Sequence, residues 1–303
     1  MGDGAQPFVP TTQHLTPNTR ALAAAAATGV LVGAALVATR SVVDQAGPAS
    51  IALLRYAIGF GCLLPPALAT SGWPRFAGRD LLPIALLGIG QFGILVALLN
   101  YSLAFITSAR AGLIFALMPL LTMLLAAALG RERLGASRAL GVGLTVVGVG
   151  VALGEKALQS GGAGAWVGEL AALASSLVGA LCSVLYRPYL RRYSTLPVSA
   201  FAMLASVAFL ALLAAREGFF AALPAFTAAG WLAVLFIGAN SGVGYYLWLW
   251  ALGHTTPTRV TVFLALSPIT ATALGALLLG EPVTLGSLAG LALVALGLVL
   301  AHR

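Results

Sequence analysis

The sequence predicts an all-α membrane protein: ten transmembrane helices, arranged as two inverted five-helix repeats around a central cavity. Three observations carry that expectation. Of the 303 residues, 60% are hydrophobic and only 8% are charged, against about 25% charged in a soluble domain, so the chain lacks the polar material to coat a water-facing surface. Its apolar residues fall in runs long enough to cross a hydrocarbon core about 30 Å thick, which takes roughly 20 residues as helix. Its second half also repeats the first at a fixed offset.

The elements follow in order. Residues 1–19 are polar, hold three prolines and read as a flexible cytoplasmic tail. After Arg20, the run from Ala21 to Ala38 has no charge and exceeds the apolar stretch of a signal peptide, about 7–15 residues. It is the first span, 21–39. Further spans fall at 50–70 beyond Gly47 and Pro48, 81–104 beyond Arg79 and Asp80, and 108–129 ahead of Gly130 and Glu132. The fifth, 137–154, stops at Glu155 and Lys156; after a glycine-rich break come 166–186 and 197–215, which ends before Arg216 and Glu217. Spans 229–252, 258–279 and 284–301 are separated by His254 to Pro257 and by Gly280 to Pro282. All are expected to be helical, because lipid offers no partner for free backbone N–H and C=O groups.

Charge sets the orientation. With both termini cytoplasmic, eleven of the sixteen basic residues lie on the inside: Arg20, Arg75, Arg79, Arg131, Arg133, Arg138, Arg187, Arg191, Arg192, Arg259 and Arg303. Arg40, Arg55, Arg110, Lys156 and Arg216 are left singly outside. That asymmetry is the positive-inside pattern. One lysine against fifteen arginines, with abundant alanine and glycine, suggests a GC-rich bacterial genome and hence a bacterial inner membrane. The net charge of +8 is scattered between apolar segments, with no basic stripe to track phosphates, so no nucleic-acid partner is expected. Cys62 and Cys182 lack metal-ligand spacing and read as small core hydrophobes.

A shift of 149 residues aligns 81–152 with 230–301 without a gap and with 17 identities, where composition alone gives roughly seven or eight matches. Arg110 falls on Arg259, Pro119 on Pro268, Glu132 on Glu281 and Gly93 on Gly242, while Gln91 meets Asn240, amide on amide. The domains are therefore two repeats, 20–154 and 155–303. An odd number of spans per repeat makes the second enter the membrane from the opposite face. Many secondary transporters are built in this way, with a small-molecule site at the midplane between the halves.

The stretches "LIFALMPLLTMLLAAALGRERLGASRALGVGLTVVGVGVAL" and "VFLALSPITATALGALLLGEPVTLGSLAGLALVALGLVLA" each place a mid-helix proline ahead of a glutamate and a glycine-rich last span. Together with "GPASIALLRYAIG", which sets Arg55 at the head of span two, they resemble the drug/metabolite transporter superfamily. Within it the chain looks like an EamA-type exporter, most like the YddG-type amino-acid exporters. The resemblance implies a ten-helix basket whose cavity is lined by the first, third and fourth spans of each half. It also implies amino-acid or related metabolite cargo; a proton-coupled exporter of a nucleobase, sugar or cationic drug is the alternative, and a channel or membrane-embedded enzyme has no sequence feature in its favour.

The candidate residues are mostly neutral. All eight acidic residues lie in the tail, in loops or at span ends, and the histidines lie outside the midplane. A proton relay built on a buried carboxylate is therefore not expected, nor is a strongly anionic cargo held by several buried cations. No HExxH helix is present, so no intramembrane metalloprotease, metal or cofactor is expected. Substrate-binding candidates are Gln91 and Asn240, whose amides offer donors and acceptors to a zwitterion but equally serve as glue between helices. Ser176 and Thr261 lie on small, weakly polar stripes. Tyr245 and Trp248 either receive an apolar side chain or join an interfacial aromatic belt. Pro119 and Pro268, which tend to kink their helices, and Gly93 and Gly242 are hinge candidates. The partners expected are a small-molecule substrate and the lipid bilayer, with a monomer as the working state.

Overall fold

The computed structural model describes residues 19–302 except 72–75, 107–110, 112–113, 116, 132–134, 159–164, 223 and 280–284. The tail, Arg110, Gly112, Glu132 and Glu281 thus lie outside the described residues. What is described is all-helical, without strands. Its first half holds α1 (Thr19–Arg40), α2 (Pro48–Ser71), α3 (Gly78–Leu103), α4 (Met118–Ala128) and α5 (Ala136–Leu158). Its second half holds α6 (Ala165–Arg192), α7 (Thr195–Arg216), α8 (Ala228–His254), α9 (Pro257–Leu278) and α10 (Leu285–His302). Among the described residues seven helices are long and apolar enough to cross a membrane; α4 and the apolar stretches Ala139–Gly148 of α5 and Leu288–Gly297 of α10 are shorter. The expected spans fall on these helices, and the sixth runs on to Arg192, whose charge with that of Arg191 complements the helix C-terminus.

The outer surface is that of a protein in lipid. Leu82, Leu212, Leu232 and Leu277 each expose two thirds or more of their surface, a distribution that water would penalise and hydrocarbon does not. Cys62 is exposed on this surface, in contrast to the expected core position, while Cys182 is buried. A cysteine behaves as a small hydrophobe, and the lipid-facing side of α2 accommodates one as well as a core does.

The packing has a two-fold pattern. α1 packs on α8 and α9, and its counterpart α6 packs on α3 and α4. α2 packs on α8, and its counterpart α7 packs on α3; α2 also meets α7, α4 meets α9, and α5 pairs with α10. Exchanging each helix for the one five places along maps this set onto itself. Small residues allow the close approach. Gly93 lies against Phe209 and Ser206 of α7, and its repeat mate Gly242 lies against Gly59 of α2.

Two helices are irregular where they pass the centre. α3 widens into a π turn over Ile89–Ile94, a feature often found at functional sites. α9 tightens into a 3-10 turn over Phe263–Ala265 before resuming at Leu266. The hinge prolines stand just after such breaks rather than within continuous helix: Pro119 is the second residue of α4, following a turn at Leu117, and Pro268 follows the 3-10 turn. A first-turn proline fits there because its missing N–H would have no helical partner anyway.

Candidate functional site

A chamber lies between the halves. α1 lines it with Thr28, Val32 and Leu36, and α3 with Gln91, Leu95, Val96 and Leu99. Phe115 and Met118 enter from the α4 side, Tyr245 and Trp248 from α8, and Leu264 from α9. Arg55 completes the wall from α2. The expectation that the first, third and fourth spans of each half form the wall therefore holds for five helices. α6 does not contribute, and α2 does.

Most of the wall is apolar, and its polar groups are few and specific. The Gln91 side chain is buried, and its Oε1 has no hydrogen-bond partner among the described residues. The π turn carries it; the extra residue per turn rotates the residues that follow relative to a regular helix. Trp248 is 2% exposed and its indole Nε1–H has no partner among the described residues either. Arg55 is half-buried and its Nε donates to Ser241 Oγ. Ser241 in turn donates to the carbonyl of Ile237 at 2.7 Å, so its hydroxyl is oriented and the guanidinium is held by one edge. Among the described residues neither terminal nitrogen of Arg55 is hydrogen-bonded, and no carboxylate pairs with it. The Arg55 Cζ lies 5.6 Å from the Tyr56 ring centroid, within cation–π range.

Behind the wall, an aromatic trio fixes α2, α3 and α8 to one another. Phe92 and Tyr245 meet edge-on with centroids 4.4 Å apart, and Tyr56 packs on both. The Tyr56 hydroxyl donates to the Tyr245 hydroxyl at 2.6 Å, which satisfies a buried O–H that would otherwise cost stability.

Of the residues the sequence singles out for substrate, the chamber gathers Gln91, Tyr245 and Trp248. Asn240 is elsewhere: its Nδ2 donates to the Leu31 carbonyl at 2.8 Å and ties α8 to α1. Ser176 is fully buried, donating to Ala172 at 2.9 Å and to Ile114 at 3.3 Å. The Thr261 hydroxyl donates to the Thr258 carbonyl at 3.2 Å. None of these three is among the residues lining the chamber; each donates instead to a backbone carbonyl, of its own helix or of a neighbour. The sequence reading misses Arg55, counted there with an outer loop. The signal was present, since Arg55 is the only charge inside the run from Ile51 to Ser71, and a charge inside a span usually faces the bundle interior.

The family model described as the EamA-like transporter family matches the chain twice, over residues 19–154 and 166–303. A protein of Streptantibioticus cattleyicolor, named a probable terminal-alkyne amino-acid exporter, is 29% identical over 278 residues, 91% of each chain. An uncharacterized transporter of Archaeoglobus fulgidus is 27% identical over 273 residues, 89% of this chain and 94% of that one. A solved crystal structure with 25% sequence identity superposes with a TM-score of 0.78, covering 94% of this chain and 97% of the other. The same family model matches both halves of the duplicated helical bundle, over more than half of the chain: this multi-pass membrane chain belongs to the EamA-like transporter family.

Proposed function

We propose that the chain exports small amphipathic metabolites, foremost neutral and aromatic amino acids, by alternating access between its halves. The observation that carries this reading is the composition of the chamber. A largely apolar wall that includes Val32, Leu36, Leu95, Leu99, Phe115 and Leu264 also holds the cationic Arg55, the amide Gln91 and the indole Trp248. Such a surface suits a solute with one polar head and one apolar tail. The relative named as a probable exporter of an amino acid with an alkyne side chain supports the same class of cargo. In this reading the repeats are 20–154 and 155–303, both termini are cytoplasmic, and the membrane is the bacterial inner membrane.

Two described carboxylates at helix ends, Asp80 and Glu217, are engaged in hydrogen bonds and do not line the chamber. Asp80 accepts from Arg192 at 2.7 Å and from Tyr193 at 2.6 Å. Glu217 accepts from the backbone N–H groups of Ala49 and Ser50 and from the Ser50 hydroxyl, at 2.7–2.9 Å. Among the described residues no carboxylate lines the chamber, which supports transport down the cargo's own gradient. Counterflow of labelled threonine, methionine or phenylalanine in proteoliposomes tests this. Exchange is expected with or without an imposed pH gradient, and absolute dependence on that gradient would remove the facilitative mechanism.

A further inference from the structure

We propose that Arg55 is the carboxylate anchor of the chamber, so that the cargo must carry a free carboxylate; this rests on the export reading above. Placing a guanidinium in a chamber walled by hydrocarbon is costly unless the charge is compensated. Within the described residues the compensation is partial, through one hydrogen bond to Ser241 and the face of Tyr56. The Ser241 bond uses Nε alone, so the two terminal nitrogens keep their N–H donors in a rigid planar fork. That fork matches a carboxylate better than any other common small anionic group on an amino acid. A purely structural tie between α2 and α8 would need the Nε bond and would leave the remaining donors without a purpose on a chamber wall.

A second, independent group completes the assignment. Gln91 lines the same chamber, and its Oε1 is a buried acceptor with no partner among the described residues; leaving such a group unsatisfied is expensive. It suits the N–H donors of the cargo's ammonium. Trp248, also lining the chamber, adds an indole N–H, donor only, without a partner among the described residues. Arg55, Gln91 and Trp248 on one largely apolar wall define a head-group site for an α-amino acid whose side chain lies along the hydrocarbon.

Equilibrium binding to the purified protein in detergent tests the anchor directly, with radiolabelled phenylalanine and 3-phenylpropionate and with unlabelled phenylalaninamide as competitor. Loss of a charge-assisted contact of this kind weakens affinity by about tenfold to a hundredfold. Phenylalaninamide is therefore expected to compete at least about tenfold worse than phenylalanine for the unmodified protein, a comparison that requires no variant to fold. Arg55→Gln is expected to weaken phenylalanine by a similar factor while leaving the weak binding of the amide unchanged, and Arg55→Lys to recover part of the loss. Binding of 3-phenylpropionate that depends on Arg55, with none of phenylalanine, would keep the anchor and remove the amino-acid reading. Phenylalanine binding equally well to Arg55→Gln and to the unmodified protein would keep that reading and overturn the anchor. Equal competition by phenylalanine and its amide, or no carboxylate binding at all, would overturn the anchor as well.

Discussion

Gln91 and Asn240 occupy one position of the repeat and have opposite fates. Asn240 spends its amide on the Leu31 carbonyl, while Gln91 lines the chamber and its carbonyl has no partner among the described residues. Substitution should separate them. Asn240→Ala removes an interhelical bond worth about 0.6–1.7 kcal/mol in a membrane bundle, so its main effect is a lower melting temperature in detergent. Gln91→Ala removes an unsatisfied buried acceptor, so stability should hold or rise slightly while counterflow falls by about tenfold. Equal loss of stability in both variants would contradict the assignment. The sequence marks both amides as special but not which one is free, because that depends on whether a carbonyl of another helix is within reach. For the same reason the sequence leaves open where Ser176 and Thr261 point, and neither lines the described chamber: a small hydroxyl on a polar stripe has the same appearance whether it faces water or a neighbouring backbone. Arg55 was legible in kind, as a charge within an apolar run, but its face of the helix was not.

Helices packed this closely are sensitive to single methyl groups, and the irregular turns decide where. A side chain built at Gly93 would approach the ring edge of Phe209 at 3.0 Å, whereas one at Gly242 would meet the backbone oxygen of Gly59 at 2.9 Å. A ring can turn aside; a helix backbone cannot without moving the helix. Replacing glycine in a helix by alanine also gains about 1 kcal/mol of propensity. Gly93→Ala is thus expected to be near neutral in a thermal melt, and Gly242→Ala to lower the melting temperature by several degrees by forcing α8 off α2. The reverse order would show that α3 and α7 form the tighter contact. Element positions were readable from charge and apolar length because the bilayer fixes both. The π turn in α3 and the 3-10 turn in α9 were not, since a helix that changes its hydrogen-bond register keeps its composition. Only the prolines pointed to them, and as kinks within a helix rather than as the first turn after a break.

At the scale of the whole molecule, the repeat seen as a 149-residue shift becomes a packing that survives exchange of its halves, and each end of the bundle is fastened by one carboxylate. Glu217, at the end of α7, caps the start of α2 through Ala49 and Ser50. Asp80, at the start of α3, holds Arg192 and Tyr193 just before α7 begins. The two fasteners thus sit at opposite ends of α7, about 33 Å apart at 1.5 Å per residue, and they join the same pair of connections with the halves exchanged. If the proposed alternating access holds, the ends loosen in turn, so weakening one fastener should favour opening at that end. With the termini cytoplasmic, Asp80→Asn is expected to increase entry from the cytoplasmic side and Glu217→Gln from the outer side. A cysteine on the chamber wall, Met118→Cys with Cys62→Ser, reports this through its rate of reaction with a membrane-impermeant thiol reagent added to one face of oriented vesicles. Each carboxylate substitution should raise that rate from its own face, by about threefold to tenfold for a shift of roughly 1 kcal/mol, and lower it from the other. Parallel changes from both faces would mean that the fasteners hold the bundle together without taking part in its opening.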